Sequence, residues 1–97
     1  MATKSAKSID KPEYALILAL LRALRVKAGL SQAELGEAMG RYQRFVSGAE
    51  DGSRRLDPLQ VKEWCTACGV SYQDFARRVD EALELAAETR KKNRSKK

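Results

Sequence analysis

Histidine is absent from this chain of 97 residues, and cysteine occurs only twice. Cys65 and Cys68 form a CxxC, but no second pair and no histidine exist to complete a zinc site, so no metal and no cofactor are expected. The commonest general base is also missing. No phosphate-binding glycine loop and no nucleophile–base pair stands in for it, which argues against an enzyme. Asp57 and Glu63 are better explained by capping and solvation. Long apolar runs are lacking too. The longest, Tyr14–Leu21, has eight residues and continues into Arg22, Arg25 and Lys27. A membrane span needs about 20. Nothing resembles a signal peptide. The expectation is a soluble, cytoplasmic protein with no membrane partner. No segment follows the period of a strand, and no repeat is visible.

Positive charge is plentiful but uneven. The net charge is +6. Residues 90–97 carry six positives and no negatives, and residues 1–11 carry three lysines against Asp10. Residues 12–89 hold ten positives and twelve negatives, a net of −2. Attraction to a polyanion must therefore come from the tails or from a local cluster within the domain.

The length and the 43% apolar share suit one small domain with one core. Residues 1–9 read as a disordered arm, 10–88 as the domain, and 89–97 as a basic disordered tail. The fold class is all-α, with five helices. Asp10-Lys11-Pro12-Glu13 opens the first helix, which stops at Gly29. Its inward stripe is Ile17, Leu20, Leu21, Leu24 and Ala28. Leu16 and Leu18 lie off that stripe and offer a wider face for the core or for a second subunit. Ser31-x-x-Glu34 is a capping box for the second helix, with Leu35, Ala38 and Met39 inward. Gly36, in its middle, implies close approach of the neighbouring helix. Gly40 ends it, and a third helix buries Phe45, Val46 and Ala49 before Gly52. Asp57-Pro58 opens the fourth helix, whose apolar face is Val61, Trp64, Cys65 and Cys68. On that face the cysteines read as small buried apolar residues, with a redox switch as the alternative. Ser71 caps the fifth helix. Its stripe is Tyr72, Phe75, Ala76, Val79, Leu83 and Ala86.

The segment GLSQAELGEAMGRYQRFVSGAEDG, residues 29–52, thus holds two short helices across a tight break. A helix held at an angle by its predecessor, with polar and basic residues outward, suits the DNA major groove. Gln32 and Gln43 stand at the amino-terminal ends of the second and third helices, where amide N–H groups favour phosphate. Gln32 is assigned to the phosphate backbone. Gln43 is assigned to a base, because glutamine pairs bidentately with adenine N6 and N7. Arg44 takes either guanine or a phosphate, and Ser47 and Gly48 complete the outward surface.

The combined pattern LRxxRxxxGLSQxELGExMG, QxxVSxxExGxRRLD and GVS resembles the lambda-repressor-like DNA-binding domain, in the Xre/Cro branch. It covers about half the chain. The resemblance implies a five-helix domain with its helix-turn-helix at the second and third helices. It also implies a transcriptional role, and binding to double-stranded DNA as a homodimer. In that family the two matching glutamines often cooperate, one bracing the other. An arginine from the first helix pairs with the glutamate that closes the third, which makes Arg25 and Glu50 a structural ion pair. The loop carrying Arg54 and Arg55 runs along the sugar-phosphate chain, where the arginine fork suits phosphate. Arg41 and Tyr42 depart from the usual apolar residue and serine cap, and are assigned to the DNA backbone. Gly48 replaces a frequent polar reader.

Two functions follow. The first is a sequence-specific transcriptional regulator, a dimeric repressor on an inverted-repeat operator, with control of its own gene as one role. The dimer face would be Tyr72, Phe75, Val79, Leu83 and Ala86, with half-site centres about 34 Å apart or a multiple of that. The alternative is a protein-interaction module, such as an antitoxin or a phage or mobile-element regulator, whose main partner is another protein. Its docking surfaces would be the fifth and first helices.

Overall fold

A computed structural model of the chain describes residues 11–95, with side chains through Lys91. Five helices follow in order: α1 Pro12–Lys27, α2 Gln32–Ala38, α3 Gln43–Asp51, α4 Pro58–Ala67 and α5 Tyr72–Ser95. Among the described residues there is no strand, and no helix is long and apolar enough to cross a membrane. The arm at 1–9 and the cap assigned to Asp10 lie outside the described residues. The N-cap of α1 is Lys11, in extended backbone without a side-chain cap bond, and Pro12 fills the first turn.

Local chemistry fixes the other helix ends. At α2 the capping box forms: Glu34 N donates to Ser31 Oγ at 3.0 Å, and Ser31 N donates to Glu34 Oε1 at 2.8 Å. Asp57 and Gln60 build the same reciprocal pair at α4, at 2.8 and 2.9 Å. Ser71 Oγ accepts from Asp74 N at the start of α5. Each such cap is worth about 1 kcal/mol.

Three helices close in the same way. After α2, Arg41 N donates to Gly36 O at 2.7 Å and Gly40 N to Glu37 O at 3.0 Å. This is the Schellman pattern, and it needs the left-handed backbone that Gly40 adopts at φ 71°. Leu30 after α1 and Val70 after α4 make the equivalent six-residue bonds, to Arg25 O and Cys65 O. Both then tuck their side chains against the core.

That core is Leu21, Leu24, Leu35, Phe45, Val46, Ala49, Trp64, Cys65 and Phe75. Trp64 is fully buried, and its indole Nε1 donates to Leu21 O at 3.1 Å, so α4 is tied to α1 by a polar bond as well as by packing. α2 and α3 pack closely on each other, and α1 bridges α3, α4 and α5. Gly36 is buried because a Cβ there would lie 3.0 Å from the carbonyl carbon and oxygen of Tyr42. The close neighbour is therefore the backbone of the turn into α3, not the body of a helix.

Four expectations need correction. Ala28, Ala38 and Ala76 are exposed; Ala28 caps α1 and Ala38 ends α2, where the chain is already leaving the core. Leu18 packs against the core, one of the two roles open to it, because α1 is covered by three neighbours. Residues 89–95 are not a disordered tail; α5 continues as helix to Ser95 after its apolar stripe has ended. Helix-favouring Arg and Lys there carry the backbone on without burial.

Candidate nucleic-acid interface

α3 presents its first turn to solvent. Gln43 and Arg44 are exposed, while Phe45, Val46 and Ala49 on the opposite side are buried. Tyr42 is the N-cap and supplies no side-chain cap bond; its ring is 86% exposed. The first amides of α3 thus remain available to an outside acceptor, which is the geometry of a phosphate site.

Gln43 is held by a chain of side chains that begins in the interior. Arg25 and Glu50 form a bidentate pair, Nε to Oε2 at 2.6 Å and Nη2 to Oε1 at 3.1 Å. Both side chains are largely buried, at 10% and 6% exposure. Arg25 Nη1 also donates to Leu30 O at 2.8 Å, which fixes the turn after α1. The bond to Glu50 raises the pKa of Arg25 further, against the effect of its burial. Glu50 Oε1 accepts from Gln32 Nε2 at 3.0 Å, and Gln32 Oε1 accepts from Gln43 Nε2 at 3.4 Å. Gln43 keeps one N–H and its Oε1 for an outside partner. One donor beside one acceptor is the complement of adenine N7 and N6. The two glutamines stand together as the sequence expectation had them.

Arg41 occupies the position that Leu30 and Val70 fill after α1 and α4. Instead of an apolar contact it lays its guanidinium over the Phe45 ring, 4.6 Å from the centroid. Arg54 sits over the same ring at 5.1 Å, and Arg55 over Tyr14 at 5.5 Å. Each stacked arginine is oriented by the ring it covers. With Arg44, these side chains line an open groove of about 1020 Å³ along α3. Phe45 and Tyr14 therefore support arginines, whereas the sequence reading assigned them only to the core and to an apolar run.

A family profile described as a helix-turn-helix domain matches residues 17–78, more than half of the chain. The chain belongs to the helix-turn-helix domain family. The clp gene regulator ClgR from Corynebacterium glutamicum shares the fold at a TM-score of 0.72 and 23% identity, over 89% of this chain and 92% of that one. A point mutant of the restriction-modification controller protein C.Esp1396I shares it at a TM-score of 0.68 and 19% identity, over 75% and 92% respectively. At these identities the likeness establishes the lambda-repressor-like fold. No curated protein matched the sequence.

Other residues of this helix-turn-helix protein fall less simply. Ser47 is half-buried, and its Oγ donates back to Arg44 O at 3.3 Å. Gly48 faces the chain's own loop: its carbonyl accepts from Arg54 N at 3.0 Å, and a Cβ would meet Ser53 Oγ at 3.4 Å. It shapes the loop that carries Arg54 and Arg55 rather than opening the helix to DNA. Asp51 also lines the groove and accepts from Ser53 N at 2.8 Å. Hydrogen bonds from Ser53 lower its pKa, so a fixed negative charge marks the carboxyl-terminal limit of the basic surface.

Of the residues assigned to a dimer face, Phe75 is 4% exposed and belongs to the core of the single chain. It cannot serve as a surface contact. Its place in the first turn of α5, where that helix meets the core, explains why the stripe's periodicity alone misassigned it. Val79 also packs against the core; Leu83 and Ala86 are half-buried, and Tyr72 is 41% exposed. Cys65 is buried and Cys68 half-buried, both as free thiols. Burial raises both pKa values, that of Cys68 to about 11, with Cys65 adding to it. A thiol that stays protonated at neutral pH is a slow nucleophile, which fits the packing role.

Proposed function

We propose that this protein is a sequence-specific DNA-binding regulator of transcription that places α3 in the major groove of double-stranded DNA. The observation that carries the reading is the exposed Gln43, braced through Gln32 and Glu50 to a buried arginine. A reader held by two relays from the core loses little side-chain freedom on binding, so its hydrogen bonds discriminate between bases. Gln43 and Arg44 read base edges, with Ser47 bordering them. Gln32, Arg41, Tyr42, Arg54 and Arg55 contact phosphate and set the register.

One α3 spans only a few base pairs, so useful specificity requires two copies. We assign the active form to a homodimer on an inverted repeat, joined along α5 through Tyr72, Leu83 and Ala86. Tyr72 is 41% exposed and Leu83 and Ala86 are only half-buried in the single chain, so apolar surface remains for a second copy to cover. A dimer seated over a promoter excludes polymerase, which makes repression the expected output. Such a protein acts in the cytoplasm, on DNA, without catalysis.

A footprint over the promoter of the protein's own gene, with oligomer mass measured on the same sample, tests this reading. A protected inverted repeat and a dimeric mass are expected. Retention of DNA only when a second protein is added would favour the protein-interaction alternative.

A further inference from the structure

A further apolar surface lies apart from the α3 groove and from the α5 face assigned to the dimer. A shallow groove of about 660 Å³ runs along the outside of α1. Ala15, Ala19 and Ala23 form one row at four-residue spacing, and Leu18, Arg22 and Val26 stand beside it as a second row. Val26 is 55% exposed. Among the described residues, no ion pair or hydrogen bond holds the Arg22 guanidinium. None of these residues borders the arginine groove along α3, so both surfaces can be occupied at once.

α5 carries the counterpart. Leu85 is 65% exposed, and a single step along the helix turns it about 100° away from Ala86, outside the face through Tyr72, Leu83 and Ala86. Glu88, one turn after Leu85, is exposed, and among the described residues it too has no ion pair. An exposed leucine one turn from a free carboxylate matches an apolar groove whose exposed valine is one turn from a free guanidinium. The two halves cannot meet within one copy. Glu88 lies beside Glu13, and Arg22 is nine residues further along α1, roughly 14 Å away at 1.5 Å per residue.

We propose that the outer face of α1 docks α5 of a second copy, with Leu85 beside Val26 over the alanine row and Glu88 paired with Arg22. That match runs the two helices antiparallel. The contact goes beyond the DNA-binding reading and needs no DNA. It is heterologous, a groove on one copy and a ridge on the next, so a symmetric dimer joined along α5 still offers both, and dimers can be linked side by side.

Sedimentation of the full chain without DNA, from about 1 μM to about 1 mM and at low and high salt, tests this. The average mass should rise with concentration, and the rise should weaken in salt, which screens an exposed ion pair. Arg22→Glu and Glu88→Arg should each raise the concentration of half-assembly about tenfold, because like charges then face one another. R22E/E88R, in which the charges have exchanged sides, should return it to its original value. Leu85→Lys should abolish the rise. All three positions are exposed, so thermal melting should stay unchanged in every variant. The rise is measured from the mass that the Leu85→Lys variant keeps, so the result depends neither on the α5 dimer nor on DNA binding. No rise at any concentration, or a rise that Leu85→Lys leaves intact, refutes the docking. Single reversals that act without recovery in the double variant refute the pairing of Arg22 with Glu88, and with it the docked geometry.

Discussion

The α2–α3 unit and α5 solve the same problem of a short amphipathic chain in opposite ways. In α2 and α3, spanning seven and nine residues, nearly every side chain has a fixed task. A capping box starts the unit, a Schellman turn at Gly40 bends it, Gly36 admits the turn's backbone, and a buried ion pair closes it. Neither helix is long enough to be stable alone, so tertiary contacts hold both. α5, at 24 residues, is anchored by Phe75 and Val79 near its start and then runs on with its apolar residues only partly covered. Its first turns are stapled by Asp74 to Arg77 and Arg78, and by Arg77 to Glu81, on the surface. α3 is over-determined and the long helix is under-committed. Under the proposed function, the first is rigid where bases would be read and the second keeps surface for a second copy.

The contrast is broken most sharply at Glu50. Glu50→Ala leaves the Arg25 charge buried without its partner and frees Gln32, so unfolding stability should fall by about 3–5 kcal/mol in urea titration. A loss under 1 kcal/mol would mean that the pair behaves as an exposed one. Gly36→Ala comes next. Alanine favours helix by about 1 kcal/mol, but the added methyl meets backbone that cannot rotate away. A net loss of about 1–3 kcal/mol by thermal melting is expected, together with weakened DNA binding. On the other side of the comparison, Ala86→Lys should change monomer stability by no more than about 1 kcal/mol, yet shift sedimentation from dimer to monomer. An unchanged dimer would move the interface away from α5. An effect confined to alkaline pH belongs to Cys68. Its proton is lost at about 11 in the folded chain but near 9 in the unfolded one. The folded state therefore holds the proton longer, and stability should fall as pH rises from 9 to 11. Cys68→Ala should flatten that fall in a pH-dependent melt.

Much of α2–α3 was legible in the sequence because its signals are local. Ser31 with Glu34, the glycines at 36, 40 and 52, and the spacing of Phe45, Val46 and Ala49 act within a turn or two. The ion pair from Arg25 to Glu50 was not readable from spacing; it came through the family resemblance, since 25 residues separate the partners. Less legible was what depends on distant neighbours. Phe75 reads as part of a continuous stripe, and only the packing of α5 on α1 and α4 decides that it is core. Arg55 over Tyr14 joins a loop to α1, and no local pattern announces it. The helical course of residues 89–95 is not legible because the apolar period ends before it, whereas propensity alone sustains the end of an already nucleated helix.

The most direct test of the account is a binding scan of Gln43→Ala against a set of operators in which each base pair is changed in turn. Preference at a single position in each half-site should disappear, at a cost of about 1–3 kcal/mol there, while the rest of the profile and the melting temperature stay as they are. An equal loss on every sequence, or no loss on any, would contradict the claim that the braced amide at the start of α3 reads a base.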